Sequence, residues 1–371
     1  MSGVFCLYTL TPASNIISSM ERRTFIKNTA ILSVAGTLIS GKAISLDNDI
    51  KKMPVIKPAR LSKNATIGLI TPASAVSRSA FEKAIENMES FGFNVRFSEN
   101  MRVRKGFIAR TDQQRLTDIH SMFENPDIHG IVCARGGYGT GRLLSKINYD
   151  IIKSNPKIFI GYSDITALLM AIYKQTGLIC FHGPVGASEF SEFTSDHFKK
   201  VLIKGKGKIE ISQPKSWDEQ SDVEYQFLNI NGGKASGELV GGNLSLLTSL
   251  MGTPYDVDFK DKIVFIEEVG ESPYRLDRMI TQLLNSGKLS QANGIAMGIF
   301  KGCETGPDDP DFGVAVSIKE LIMDRFKGFD IPVVYGLPIG HIDDNATLPI
   351  GVQAELDADK GNLTIVESAV L

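Results

Sequence analysis

The stretch Lys157-Ile-Phe-Ile-Gly-Tyr-Ser-Asp-Ile-Thr-Ala-Leu-Leu-Met170 decides the fold class of this chain. The apolar run KIFI ends at Gly161, Ser163 comes two residues later, and the amphipathic sequence ITALLMAIYK follows. This order predicts a strand, a sharp turn and a helix, with Ser163 on the turn. A hydroxyl placed there lies beside the first free amides of the helix, which can stabilise an oxyanion. The alternative is that Ser163 only caps a helix, since Ile165 stands where G-x-S-x-G has its second glycine.

Strand and helix patterns alternate on both sides of this stretch. From Ala65 to about residue 187 the links are short, which predicts parallel βαβ units in a doubly wound α/β sheet. Residues 188–232 are polar and weakly periodic, and we interpret them as a linker with a small hairpin. Residues 233–371 predict a second, smaller mixed α/β domain that closes with a hairpin. The first domain is expected over residues 61–187.

Bulk composition argues against a nucleic-acid-binding protein and against membrane spans in the body of the chain. The 371 residues are 43% hydrophobic and 22% charged, with a net charge of −2. These values are typical of a globular protein, and no basic excess indicates nucleic acid as a partner. No segment of the body is long and apolar enough to span a membrane.

The N-terminus predicts an export signal. Arg22 and Arg23 precede a mild apolar stretch, and Ala43-Ile44-Ser45 offers small residues for cleavage. This pattern resembles a twin-arginine signal, which indicates a periplasmic protein; the alternative is an amphipathic first helix and a cytoplasmic protein. Met20 is a candidate start, because residues 1–19 fit no export signal. Residues 1–60 are therefore treated as a leader.

The sequence gives little support to a metal site. Cys133 and Cys180 lie in apolar runs without CxxC spacing, so buried free thiols are expected. A metal site made of His341, Asp343 and Asp344 is conceivable, but the two aspartates are better interpreted as solvating a loop.

A nucleophilic serine needs a base and a group that orients the base. Of the five histidines, His182 and His341 each follow an apolar strand, where α/β domains form sites, and either is a candidate base. Glu267 and Glu268 end the strand KIVFI and are the acid candidates. Alternation along a strand directs them to opposite faces, so only one is expected in a site. The remaining histidines are expected in solvent or in the linker: His120, His129 and His197.

A glycine turn, Arg135-Gly-Gly-Tyr-Gly-Thr-Gly-Arg142, follows the strand IVCA. It fails the dinucleotide-binding fingerprint, because Arg142 stands where the third glycine belongs. Its amides can approach a ligand closely, which suits a second oxyanion donor beside the serine.

With these segments in order, the chain resembles the LD-carboxypeptidases, or muramoyltetrapeptide carboxypeptidases, whose relatives include microcin C self-immunity peptidases. The resemblance runs from about residue 64 to the C-terminus. Its motifs in the first domain are Gly106-Phe-Ile-Ala-Arg110 with Asp112 and Arg115, Ala134-Arg-Gly-Gly-Tyr-Gly139, Gly161-Tyr-Ser-Asp-Ile-Thr166 and Phe181-His-Gly-Pro184. Those in the second are Gly241-Gly-Asn-Leu244, Phe265-Ile-Glu-Glu-Val-Gly270, Tyr274-Arg-Leu-Asp-Arg278, Gly340-His341 and Thr347-Leu-Pro-Ile-Gly351.

The resemblance implies a catalytic triad of Ser163, Glu267 and His341, and an oxyanion hole made by the amides of Gly137 and Asp164. It implies that His182 is structural or lies at the pocket edge. It also implies a nucleophile domain similar to the glutamine amidotransferase fold, an active site at the domain interface, and a homodimer. The implied substrate is a murein tetrapeptide that loses its terminal D-alanine, with no cofactor and no metal.

Two rival functions stay open. One is a microcin-immunity type of peptidase that cleaves peptide–nucleotide conjugates. Such conjugates act in the cytosol, so an export signal argues against it. The other is a periplasmic ligand-binding protein of two α/β domains without chemistry.

Overall fold

The computed structural model describes residues 54–98, 101–205, 207–217, 223–305 and 315–371, which contain sixteen strands and eight α-helices. The strands are β1 (Thr66–Ile70), β2 (Asn94–Phe97), β3 (Arg104–Lys105), β4 (Ile108–Ala109), β5 (Gly130–Cys133), β6 (Ile158–Gly161), β7 (Phe181–His182), β8 (Ile209–Ile211), β9 (Leu228–Asn231), β10 (Lys234–Asn243), β11 (Lys262–Val269), β12 (Gly294–Lys301), β13 (Val333–Tyr335), β14 (Leu348–Pro349), β15 (Gln353–Asp357) and β16 (Asn362–Ile365). The helices are α1 (Arg78–Ser90), α2 (Asp112–Glu124), α3 (Tyr149–Ser154), α4 (Thr166–Thr176), α5 (Glu192–Phe198), α6 (Leu244–Ser249), α7 (Pro273–Asn285) and α8 (Ile318–Phe326).

The first sheet has the strand order β14-β7-β6-β5-β1-β2. Its five strands from β7 to β2 run parallel, and β14, which comes from the C-terminal part of the chain, pairs antiparallel with β7. All residues of β5 and β6 are buried, as the apolar runs predicted. The predicted doubly wound α/β sheet is confirmed.

The second sheet is mixed and has the order β8-β16-β15-β10-β11-β12-β13-β9. Strands β10 to β13 run parallel, and β15 and β16 form the expected closing hairpin. The prediction of a hairpin within residues 188–232 is wrong. Strand β8 pairs with β16 and β9 pairs with β13, so this segment supplies both edges of the sheet. The boundaries at 61–187, 188–232 and 233–371 stay predictions.

Local sequence signals start and end the helices that matter for the site. Thr111 and Gln114 form a capping box at α2, and Gly177 ends α4 in the left-handed conformation. Helix α4 meets the second sheet where the amide of Asn243 donates to Thr166 Oγ1 over 3.1 Å. After the glycine turn, residues Thr140–Arg142 and Leu144–Lys146 form two short 3-10 turns.

Residues 56–60 belong to the folded body, although the sequence interpretation placed them in the leader. The amide of Ile56 donates to Gly177 O over 2.8 Å, and the amide of Leu371 donates to Pro58 O over 2.9 Å. The predicted export signal around Arg22 and Arg23 lies outside the described residues. Among the residues that the structure describes, no helix has the length and hydropathy of a membrane span.

Candidate active site

The turn after β6 places Ser163 in a strained backbone conformation. Tyr162 is extended, Ser163 has a φ of +63°, and residues Ser163–Ile165 form a 3-10 turn that leads into α4. A positive φ in a residue with a side chain is costly and is typical of a nucleophile elbow between a strand and a helix.

The glycine turn after β5 lies directly against this serine. A Cβ added to Gly136 would come within 2.8 Å of Ser163 Cβ, and Gly137 has a φ of +116°. Ser74 holds the turn, because its Oγ accepts from the amide of Tyr138 over 3.2 Å. Only glycine allows this approach, because a side chain at Gly136 would clash with Ser163 and one at Gly137 would clash with Ser74.

Asp164 is bound to the same glycine-rich loop. The amide of Thr140 donates to Asp164 Oδ2 over 2.9 Å, and Thr140 Oγ1 donates to Asp164 O over 2.5 Å. Burial raises the pKa of the Asp164 carboxyl, and the hydrogen bonds from Thr140 oppose that change. The segments that carry Gly137 and Asp164 are thus fixed to one another.

Glu267 and His341 form a buried hydrogen-bonded pair. Glu267 lies on β11 and is fully buried, and its Oε2 is 2.8 Å from His341 Nδ1. Burial would raise the pKa of Glu267, but the charge of His341, the neighbouring His182 imidazole and the hydrogen bond to His341 lower it to about 2. Conversely, burial would lower the pKa of His341, and Glu267 raises it above its ordinary value. The pair is therefore suited to hold one imidazole orientation and to stabilise its positive charge.

Glu268 points to the other face of β11 and has a different environment. Its Oε1 accepts from Asn243 Nδ2 over 2.8 Å, and its Oε2 accepts from the Ser245 amide and hydroxyl over 2.9 and 2.7 Å. The carboxylate thus binds the first residues of α6, a position that helices favour for acidic groups. These contacts agree with the expectation that only one of the two glutamates points into the candidate site.

The loop after β13 that carries His341 is anchored to α5. Asn345 Oδ1 accepts from the amide of Gly340 over 3.1 Å, and the amide of Asn345 donates to Thr194 Oγ1 over 2.7 Å. Asp344 accepts from Ser191 Oγ over 2.6 Å and from Trp217 Nε1 over 2.9 Å. Asp344 therefore orders the loop rather than solvating it. In the described ranges no group of three or more acidic, histidine or cysteine side chains could hold a metal ion.

His182 approaches the carboxylate oxygen of Glu267 that does not bind His341. It is fully buried on β7, and its Nε2 is 3.6 Å from Glu267 Oε1. The ring of Tyr162 contacts both imidazoles, with centroids 4.7 Å from His341 and 6.0 Å from His182. Tyr162 thus connects the Ser163 turn to the Glu267–His341 pair. No hydrogen bond joins Ser163 Oγ to His341 in the part of the chain that the structure describes.

The remaining candidates lie elsewhere. The ring nitrogens of His120 and His129 accept from the amides of Asn148 and Thr66, and His197 is buried against Phe193. Cys133 and Cys180 are buried free thiols, as expected, and so is Cys303; burial raises the pKa of each.

The sequence analysis named Asp112 and Arg115 as part of a family motif but missed their role as anchors of the site. Arg115 is fully buried, and its guanidinium donates to Gly139 O over 3.0 Å and to Asp112 Oδ1 over 2.7 Å. It thereby ties α2 to the glycine turn. The Asp112–Arg115 spacing on one helical face was the available signal. Nothing in the sequence signalled Tyr162 as the link between the two sheets.

Two family models match the chain. That of the LD-carboxypeptidase N-terminal domain matches residues 67–183, and that of the LD-carboxypeptidase C-terminal domain matches residues 236–356. A probable murein peptide carboxypeptidase of Bacillus subtilis is 34% identical, over 85% of this chain and 95% of the relative. A murein tetrapeptide carboxypeptidase of Pseudomonas aeruginosa is 30% identical, over 79% of this chain and 94% of the relative.

Solved structures show the same architecture. A muramoyltetrapeptide carboxypeptidase of Oxalobacter formigenes superposes with a TM-score of 0.70 at 30% identity, over 82% of this chain and 99% of that chain. The microcin C7 self-immunity protein MccF, in complex with aspartyl sulfamoyl adenosine, superposes with a TM-score of 0.76 at 27% identity, over 85% of this chain and 100% of that chain.

Proposed function

Because the chain belongs to the LD-carboxypeptidase family, we propose that it releases the terminal D-alanine of murein tetrapeptides by hydrolysing the bond between an L- and a D-residue. Membership of this family makes it a serine-type carboxypeptidase, a hydrolase, rather than a ligand-binding protein without chemistry.

In the proposed mechanism Ser163 is the nucleophile, His341 the base and Glu267 the orienting acid. His341 takes the proton of Ser163 as the hydroxyl attacks the carbonyl carbon, and returns it to the leaving amine of D-alanine. Water then attacks the acyl-enzyme with His341 again as base, which frees Ser163. Glu267 holds the imidazole tautomer and offsets the charge that develops on it.

The amides of Gly137 and Asp164 are proposed to bind the tetrahedral oxyanion. Two features support this role: the glycine turn lies against Ser163, and Asp164 is the first residue after the nucleophile. Amides near a helix start and in a glycine turn are fixed dipoles, so they need little reorganisation during the reaction. The proposed chemistry uses no cofactor and no metal.

One observation carries the proposal: the buried Glu267–His341 hydrogen bond, which the ring of Tyr162 connects to the positive-φ serine that follows it in sequence. The hydrogen bond is 2.8 Å long, and the neighbouring Tyr162 ring contacts His341. Structures without substrate often show long serine–histidine distances that shorten in the complex.

The test is a product assay with disaccharide tetrapeptide. Wild-type protein should yield tripeptide and free D-alanine by mass spectrometry. Ser163→Ala should reduce turnover by several orders of magnitude, because triad members act as a unit. Ser290→Ala, an exposed serine beyond α7, is the control and should keep full activity. Normal turnover by a folded Ser163→Ala protein would contradict the serine mechanism.

A microcin-immunity function is the second candidate, and the likeness to MccF favours it. Assays with aspartyl sulfamoyl adenosine and with disaccharide tetrapeptide separate the two. We expect hydrolysis of the tetrapeptide at a much higher kcat/KM. Preferential cleavage of the nucleoside compound would replace the murein proposal with the immunity one.

We further propose that the protein is a homodimer that acts on muropeptides in the periplasm after twin-arginine export. The Arg22–Arg23 pair supports the export route. Sedimentation velocity of the purified protein would test the dimer.

A further inference from the structure

Glu267 has one carboxylate oxygen without a hydrogen-bond partner, although the residue is fully buried. Oε2 binds His341, whereas Oε1 has no partner among the described residues. A buried carboxylate oxygen that lacks a donor costs free energy, so such an oxygen in a reaction centre needs a physical explanation.

His182 faces that oxygen. Its Nε2 lies 3.6 Å from Glu267 Oε1, and neither of its ring nitrogens has a hydrogen-bond partner within the described residues. Strand β7 fixes the backbone of His182 between Gly161 of β6 and Leu348 of β14. The rings of Phe265 and Tyr162 confine the imidazole at 5.1 and 6.0 Å. The side chain is therefore already aimed at the oxygen and needs a movement of only about 0.7 Å to donate a normal hydrogen bond.

We propose that His182 is a positioning residue for the reaction, which donates its Nε2–H to Glu267 Oε1 while Oε2 holds His341. Each carboxylate oxygen then binds one imidazole, which fixes the glutamate rotamer and with it the orientation of the base. His182 touches no reacting atom in this arrangement and acts through Glu267. This inference rests on the proposed function and assigns His182 a role beyond packing.

The other titratable groups near the pair have different contacts. Tyr162 contacts the imidazole rings, Glu268 binds Asn243 and Ser245, and Asp343 lies exposed on the loop after β13. The donor that satisfies Oε1 in this geometry is His182. Its loss should strengthen proton binding by the Glu267–His341 pair, because the carboxylate charge is then shared with one partner fewer.

The test compares His182→Gln with His182→Asn. Both remove the ring, but the Gln amide reaches the position of Nε2 whereas the Asn amide ends near Nδ1. We expect His182→Asn to lower kcat at least about tenfold while KM changes less than about threefold, and to move the acid limb of kcat to a pH about 0.5 higher. His182→Gln should restore most of kcat and the wild-type acid limb. His197→Phe, at a buried histidine away from Glu267, is the control and should leave the profile unchanged.

Histidine NMR gives a readout that needs no substrate. The ¹⁵N shifts should place the His182 proton on Nε2, and the pKa of His341 should be higher in His182→Asn than in wild type. A proton on Nδ1, or equal His341 pKa values in wild type and His182→Asn, would overturn the inference. These NMR results hold whichever substrate is correct, so a failed tetrapeptide assay contradicts only the proposed function.

Discussion

At the residue scale, Glu267 and Glu268 are neighbours in sequence with opposite environments. Glu267→Gln should abolish most turnover, because the amide no longer offsets the charge of His341. Glu268→Gln should keep most activity but lower the melting temperature, since its carboxylate accepts hydrogen bonds from Asn243 and Ser245. Steady-state kinetics and thermal unfolding of both variants test this. The reverse ranking of the two activities would mean that Glu268 is the acid.

His341 sets the expected pH dependence of the same site. Glu267 raises the pKa of His341 above its ordinary 6.5, and the base is active only when neutral. Activity should therefore fall as the pH drops through a value above 6.5. In Glu267→Gln the effect of burial remains and only the charge of Glu268 still raises the pKa of His341, so the acid limb should move to lower pH. The residual kcat/KM of the variant, measured across pH, decides this. An unmoved limb would assign the titration to another group.

At the element scale, the loop that carries His341 depends on Gly340. This residue has a φ of +119°, and a Cβ there would lie 2.9 Å from Glu267 Oε2. Gly328 has a φ of +87° with nothing within 4 Å of its Cβ position. Alanine at either site should cost about 1–3 kcal/mol in backbone strain, but only Gly340→Ala should also lose activity, at least about tenfold. Equal activities in the two variants would show that the loop tolerates the extra carbon.

Helix α2 supports the glycine turn through Asp112 and Arg115. The hydrogen bond from Arg142, and the neighbouring Arg115, lower the pKa of Asp112 to about 2 against its ordinary 3.8. A lowered folded-state pKa stabilises the protein above pH 3.8, and that contribution disappears as the pH falls towards 2. Asp112→Asn should therefore lower the melting temperature at pH 7 and reduce its fall between about pH 4 and pH 2. Asp127→Asn, at an exposed pair with Arg96, is the control and should change little.

At the scale of the whole molecule, a truncation that ends before residue 54 and one that extends beyond it should have different effects on stability and turnover. Removal of residues 1–45 should leave activity in vitro unchanged. Removal of residues 1–60 should destabilise the protein, because Ile56 and Pro58 bond to Gly177 and Leu371. Thermal unfolding and turnover of the two truncations test this. Equal stability would mean that residues 56–60 contribute nothing to the body.

Export is the other prediction at this scale. Replacing Arg22 and Arg23 with lysine should leave uncleaved, active enzyme in the cytosol if the twin-arginine route reads this signal. Cell fractionation with N-terminal sequencing measures it. A periplasmic, cleaved product from the double variant would contradict the route.

The sequence alone determined the parallel α/β sheet, the Ser163 turn and the different surroundings of Glu267 and Glu268. These features follow from local periodicity, from a strand–turn–helix pattern and from alternation along one strand, which act over a few residues. The sequence also reduced the candidates for the catalytic base to His182 and His341, because both follow apolar strands.

Only the tertiary structure decided which groups meet. Glu267 and His341 are 74 positions apart and Glu267 and His182 are 85 apart, so no local pattern could place both imidazoles on one carboxylate. Packing of β7 of the first sheet against β11 of the second brought His182 to Glu267. Strand pairing likewise decided that β8 and β9 join opposite edges of the second sheet instead of one another. Edge strands pair with whichever strand the packed core brings beside them, and that choice depends on contacts far along the chain.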